Sequence, residues 1–591
     1  MRKYFLFILF GIAALLGVLL LASPVLSSWL YKDADTEDIP DTVYANFADP
    51  TVPKYGGIHN RLRIANWYTW DYAAPAPSDM TIISMMGEEL LGGDWAKGPA
   101  GTNKNDWTSG FGGFTETLTG RLAEDWEMPD NETIVYHIRQ GVHWWNREPA
   151  NGRELTADDV AWNIERHFSS PKSFDYKLYT KTGMAPLEVQ APDRYTVEVK
   201  VNPMWQGVMA AAIGDHLWML CPDAVEANGG EPLKDWQQFI GTGPFMIDNY
   251  GVNSFIEYVR NPDYWQTDPL HPENRLPYAD GVKELIIFNM EQQKAAFRTG
   301  QVDTASTVSM TLSDWDEADF LKSKHPQLEV KSYPGAAVFM IWPRLDDESL
   351  PFRDIRIRQA MNLAVNQQEL VDDYYGGSAE LLTWPYPDLP VFDGIYTPLE
   401  EQSQIVRDLF GYDVERAREM VIEAGYPNGF NFTLYAQSQH TDFLSIIKEY
   451  LREINIDMEL AYLTEWLGST YQEVVYGMDF LLKPQEMTSM IEGSPYNYSR
   501  VRDSRIQEAY SNIARYRGIN DVEVARILKE LGPYQLELAV PIYLPSPHSF
   551  VVWWPWLQNY YGAVGGGGYD NIDEYIMYFW IDNDMKTEMG Y

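Results

Sequence analysis

The clearest alternation along the chain lies in residues 121–166, RLAEDWEMPDNETIVYHIRQGVHWWNREPANGRELTADDVAWNIER, which pass from a strand period to a helix period. After the turn-forming run Pro129, Asp130 and Asn131, the residues Ile134, Tyr136 and Ile138 alternate with Val135 and His137. That pattern predicts a half-buried strand over 133–139. Gly141 breaks it, a second short strand is expected over 142–145, and the Asn151-Gly152 turn leads to Leu155 and Thr156, where a helix begins. Thr156 reads as its N-cap, with Asp158 and Asp159 suited to the positive end of the helix dipole. This role accounts for both carboxylates without catalysis.

The same reading extends along the chain. A Gly-Gly turn precedes an alternating strand in 54–64, a helix is expected over 80–91, and a Gly-, Asn- and Trp-rich loop over 92–113. In 187–201, Asp193 marks a turn, and Tyr195, Val197 and Val199 share one face of a strand. In GTGPFMI, Gly241 and Gly243 permit close backbone approach, and antiparallel strands follow around Gly251. A phosphate cradle would need a helix there, so this GxG is structural. Residues 285–288 predict a buried strand, followed by an amphipathic helix ending at Gly300. FRDIRIRQAMNLAVNQQEL, 352–370, predicts one helix with an apolar stripe of Ile357, Met361, Leu363 and Ala364. Its Arg353, Arg356 and Arg358 are expected to pair with carboxylates. A helix closed by Gly425, a strand to Leu434, a helix over 442–454, a strand over 456–462 and a helix from Glu465 complete this half.

Composition narrows the function. The 591 residues suffice for two or three domains, and 45 Lys and Arg against 85 Asp and Glu give a net charge of −40, which excludes nucleic acid as a partner. The acid is spread without blocks and reads as a solvated surface. Met1, Arg2 and Lys3 precede an apolar run over 4–22, so residues 1–30 read as an export signal, either cleaved or kept as a membrane anchor, with the rest outside. Residues 31–53 read as a linker. Cys221 is the only cysteine, which excludes an intrachain disulfide.

The order LAEDWE, aromatic strand, GVHWWN, NG and LTADDV, followed by GTGPF and RNPDYW at their spacing, resembles the extracellular solute-binding proteins of family 5, the dipeptide, oligopeptide and nickel binders of ABC importers. The likeness extends over most of 54–582. It implies an α/β, two-lobed periplasmic-binding-protein-like fold of the large type II class that closes by hinge motion, with an added subdomain in the first lobe. The expected division is 54–75, 189–292 and 539–591 for the first lobe, 76–188 for the subdomain, and 293–538 for the second lobe. Lipid attachment through a cysteine after the signal, frequent in the family, is closed here. The partners implied are a small solute and the importer's permease, bound by a monomer without cofactor or metal.

The resemblance also implies site residues. Trp466 matches a tryptophan that lines the cleft in peptide binders, and Asn261 lies near the interlobe region. Trp95, Trp107, Tyr176, Tyr179, Trp384 and Tyr386 are further candidate ring contacts, suited to stacking on sugars or side chains. In peptide binders an aspartate of a G-D loop fixes the peptide amino terminus; residues 479–492, DFLLKPQEMTSMIE, show no G-D pair, so Glu486 or Glu492 would substitute. The function implied is an oligopeptide receptor, with an oligosaccharide receptor as the alternative. No G-x-S-x-G, H-E-x-x-H or P-loop pattern occurs, which leaves a secreted glycoside hydrolase with two facing carboxylates as the enzyme alternative.

Overall fold

The computed structural model describes residues 52–63, 69–73, 81–102, 104, 117–173, 175–181, 183–306, 315–335, 337–463, 473–480, 489–494, 496–563 and 575–591. The apolar run of 4–22 lies outside these, and among the described residues no helix is long and apolar enough to cross a membrane.

The first sheet joins β1 (Ile58–Arg63) in parallel to β10 (Gly281–Ile286), which continues antiparallel through β9 (Phe255–Arg260) to β8 (Phe245–Gly251). Between them the chain forms α1 (Thr81–Met86), the small pair β2 (Leu91–Gly93) and β3 (Leu118–Gly120), and an antiparallel sheet in the order β4 (Ala123–Glu127), β5 (Thr133–Ile138), β7 (Thr196–Lys200), β6 (Glu188–Asp193). The expected helix over 80–91 is therefore a short helix followed by a strand. β5 is covered on both faces: Val135 is buried as well as Ile134, Tyr136 and Ile138, and the Tyr136 hydroxyl donates to the Ala210 carbonyl at 2.9 Å. Residues 142–145 make a single bridge, His143 with Glu154, in place of a strand, and bury Trp144 and Trp145. Asn151 and Gly152 turn with φ of 50° and 69°. Helix α2 (Ala157–Ser169) starts at Thr156, whose N–H donates to the Asp159 carboxylate at 2.9 Å. At Gly241 a Cβ would stand 1.9 Å from the Met86 carbonyl oxygen, which is the close approach the glycine permits.

Helix α3 (Gln206–Gly214) and helix α4 (Met290–Arg298) complete this part with β11 (Thr304–Ser306) and β12 (Glu329–Pro334), both paired to the late strand β18 (Ser546–Trp553). One apolar core holds Tyr136, Trp218, Tyr258, Trp554, Trp556 and Trp580 together. Residues 293–334, expected in the second lobe, contribute Phe297, Val302, Ala305, Leu321 and Leu328 to it.

The second lobe is built on the sheet β13 (Ala337–Pro343), β17 (Val474–Phe480), β15 (Phe430–Ala436), β16 (Ile456–Tyr462), in which β15 runs parallel to both β16 and β17. Each face carries its own core: Val338, Met340, Trp342 and Val475 on one, Ile341, Phe432, Leu434 and Val474 on the other. The helices are α5 (Ile355–Ala364), α6 (Val414–Glu423), α7 (Thr441–Arg452), α8 (Ser504–Tyr516) and α9 (Asp521–Glu537). The predicted helix over 352–370 is cut short: Asp354 caps α5, and it ends at Val365, where Asn366 accepts from Glu369 N–H and starts a new turn. Arg353 and Arg356 pair with Glu348 and Asp354, as expected. Arg358 does not; its buried guanidinium donates to the carbonyls of Phe352, Ala539 and Leu538 at 2.6, 2.7 and 2.8 Å.

The chain crosses between lobes from Pro334 to Ala337 and returns after Leu544, whose side chain still belongs to the second lobe. β18 straddles the return: Ser546 and Pro547 pair with β14 (Ala379–Glu380) of the second lobe, and from His548 onward it pairs with β12 of the first.

Candidate ligand site

The carboxyl ends of β15, β16 and β17 lie along one edge of the second-lobe sheet, beside the start of β13. In open sheets with parallel strands this edge is where ligands bind, because the strand ends expose loops and helix N-termini rather than core. Two groups of side chains occupy it, one per face.

On the first face Asp479, next to last in β17, is 5% exposed. Its Oδ2 accepts the Trp384 indole N–H at 2.6 Å and the Ser489 hydroxyl at 2.5 Å. A buried carboxylate without donors would be far costlier, so these two bonds hold it in place. Trp384 is itself fixed, edge-on to Trp342 at 6.2 Å and against Tyr543 at 5.8 Å. Trp342 in turn donates to the Gly477 carbonyl at 3.1 Å. Gly477 has no room for a side chain, since a Cβ would meet the Tyr498 ring at 2.8 Å. The result is a packed cluster of rings ending in one oriented carboxyl group.

On the opposite face His440, which precedes α7, lies between Phe339 at 4.9 Å and Tyr476 at 5.0 Å. Burial pulls its pKa below the usual histidine value, so it is neutral at pH 7. This corner offers rings and an uncharged imidazole, which suits an apolar or aromatic group.

Of the contacts expected from the sequence, Trp384 alone among the described residues is at this edge. Trp107, Trp466 and Glu486 lie outside the described residues. Asn261 is a buried turn residue of the first lobe: its amide donates to Gly243 O at 3.0 Å and its Oδ1 accepts from Asp263 N–H. Tyr179 is buried against Phe168, and Trp95 is stacked on Tyr578 at 4.1 Å. Tyr386 is buried with its hydroxyl on the Leu528 carbonyl. Trp384 is at the candidate site, but as the support of Asp479 rather than as an exposed ring. Glu492 is at the surface, paired with Arg502 at 3.0 Å. A pattern of adjacent Gly and Asp does not single out Asp479, because Met478 separates it from Gly477. The readable signal is YGMD at the end of an apolar strand.

A hollow of about 890 Å³ opens on the first lobe between Trp70, Trp236 and Tyr250, with Glu231, Lys234 and Asp235 at its rim. It is lined from one lobe alone. Among the described residues no group of three or more His, Cys, Asp and Glu side chains is placed to hold a metal. His143 contacts the Gly152 carbonyl, and His137 lies on β5 near Asp125 and Glu127.

These features define a two-lobed α/β binding protein with its candidate site at a sheet edge. Residues 117–498 match the family described as bacterial extracellular solute-binding proteins, family 5 Middle, and the chain belongs to that family. It is 25% identical over 329 residues to heme-binding protein A of Haemophilus influenzae, and 26% identical over 337 residues to the dipeptide-binding protein of Escherichia coli. These matches span 54% and 55% of this chain and 55% and 58% of the relatives, so the chain aligns with little more than half their length. Among solved structures, the periplasmic binding protein DppA of Helicobacter pylori with the peptide STSA superposes with a TM-score of 0.67 at 20% identity, covering 90% of this chain and 99% of that one. NikA of Brucella suis with Fe(III)-EDTA gives 0.69 at 14% identity, covering 89% and 100%. At these identities the likeness is one of fold.

Proposed function

We propose that the protein is an extracytoplasmic receptor of an ABC importer that captures a peptide between its lobes and delivers it to a membrane permease. It acts as a monomer and performs no chemistry. Residues 1–30 direct export or anchor the chain, and residues 31–53 link that segment to the folded body. The carrying observation is Asp479, a buried carboxylate fixed by Trp384 and Ser489 at the edge of the second-lobe sheet. A peptide's free amino terminus carries one positive charge and three donors, which a carboxylate oriented in this way complements. The relatives named for dipeptide and di/tripeptide binding support the same class. The oligosaccharide reading draws less support, because Trp95, Tyr179, Trp384 and Tyr386, rings that would form a stacking platform, are buried.

Ligand-free protein should be stabilised by tri-alanine, since a ligand at 100 times its dissociation constant adds about 2.7 kcal/mol. N-acetyl-tri-alanine, which lacks the charge, should give a much smaller thermal shift, and Asp479→Asn should lose at least tenfold in tri-alanine affinity while keeping its fold. Equal shifts from the free and the acetylated peptide would remove Asp479 as the amino-terminal anchor. Stabilisation by maltotriose and not by peptides would replace the peptide reading with the saccharide one.

A further inference from the structure

Away from the strand crossings, the lobes meet a second time. Helix α8 turns Ile506, Ala509 and Ile513 into the second lobe, while Ala514 on the same helix is 2% exposed and packs into the core of the first. Opposite it stand α3 and the residue before it: Trp205 lies 6.0 Å from Tyr510, ring to ring. At Gly207 the approach is backbone to backbone. A Cβ on Gly207 would fall 1.5 Å from the carbonyl oxygen of Arg517, the residue that caps α8. No side chain fits there.

Both surfaces are fixed within their own lobes. Gln206 anchors the start of α3, donating to the carbonyls of Asp130 and Thr133 at 2.7 and 2.8 Å. The end of α8 is set by the turn at Gly518, with φ of 71°, whose N–H donates to Asp521 at 3.0 Å. Two pre-formed surfaces touching through a glycine bring little conformational entropy to the contact. None of these residues belongs to the sheet edge that carries Asp479.

We infer that the contact between α3 and α8 is an intrinsic latch, a lobe-to-lobe interface that forms without solute and sets the closed fraction of the empty protein. The inference rests on the hinged-receptor reading above. A receptor whose competent state is only partly populated binds with its affinity reduced by that fraction, so the latch would tune affinity from outside the site. Gly207 is its key position, since any larger residue forces the surfaces apart.

The test is the interlobe distance in protein freed of co-purified solute by unfolding and refolding. Donor and acceptor dyes on Val252→Cys in the first lobe and Ile422→Cys in the second use positions that are 65% and 47% exposed. The native Cys221 is buried, with its thiol pushed up to about 12, and should not label. The unsubstituted pair should show mainly the short distance, and Gly207→Leu should lower that population at least tenfold. Tyr510→Ala, which leaves Ile506, Ala509 and Ile513 in place, should lower it less and serves if Gly207→Leu does not fold. The inference is overturned if the empty protein already shows the long distance, or if the folded variants keep the short one. No peptide enters the measurement, so failure of the latch leaves the receptor reading standing, and failure of tri-alanine to bind leaves the latch result standing.

Discussion

At the residue scale, burial decides which groups act and which only support. Lys331 on β12 is mostly buried, reaches the Gly101 carbonyl, and has its pKa brought down to about 8 from 10.5 by desolvation. Its folded value lies below its unfolded value, so between pH 8 and 10.5 the unfolded chain holds the extra proton, and stability should rise with pH across that window. Lys331→Met should flatten that slope in denaturant titrations at pH 8, 9 and 10. An unchanged slope would show that the lysine is solvated. The same principle explains what the sequence did and did not reveal about the site. Asn261, Tyr179 and Trp384 are chemically apt as contacts, but their exposure depends on packing partners far along the chain: Asn261 on Gly243, Trp384 on Asp479 and Tyr543. Nothing in the local pattern separates a ring that lines a cleft from one that supports a carboxylate.

At the element scale, local chemistry was a better guide. The N-cap at Thr156, the helix closure at Gly425 with φ of 99°, and the strand over 456–462 all depend on neighbours in sequence, and the structure places them as read. The misplacements are of two kinds. Helix α5 ends at Val365 because Asn366 caps a new turn, a local signal, whereas β5 buries a second face because its sheet is covered on both sides. The closing helix α10 (Asn583–Glu588) presents a contact with no local signature. Its Lys586 reaches Asp303, a fully buried carboxylate, at 3.3 Å and lies 4.9 Å over the Trp556 ring. Trp556 and the Asn60 backbone also donate to that carboxylate, at 2.8 and 2.7 Å. Lys586→Met leaves a buried anion without its countercharge and should cost about 3 kcal/mol or more in a chemical unfolding midpoint analysis. A loss under about 1 kcal/mol would mean that the two neutral donors suffice.

At the scale of the whole molecule, the lobes are not successive beads. The second lobe is inserted between β12 and β18, and each needs residues from beyond the insertion: Trp553, Trp554 and Trp556 complete the first core, while Val540, Ile542 and Tyr543 complete the second. The two-lobed division and the family were legible because ordered motifs extend over both lobes. The crossing points were not, since strands β11 and β12 look alike in either lobe until their pairing with β18 is known. A chain ended at Leu538 should therefore lose both lobes together, with no protease-resistant core and no cooperative thermal transition. A stable fragment of either lobe would show that its core closes without the return.

β18 is laid down last in its sheet, between β11 and β12, although both neighbours are made more than two hundred residues earlier. A ribosome delivers the middle strand of this sheet last, so the first core lacks Phe550, Val552, Trp553, Trp554 and Trp556 until that strand has been made. A first lobe that still lacks its central strand is easier to thread through a narrow channel than a closed one.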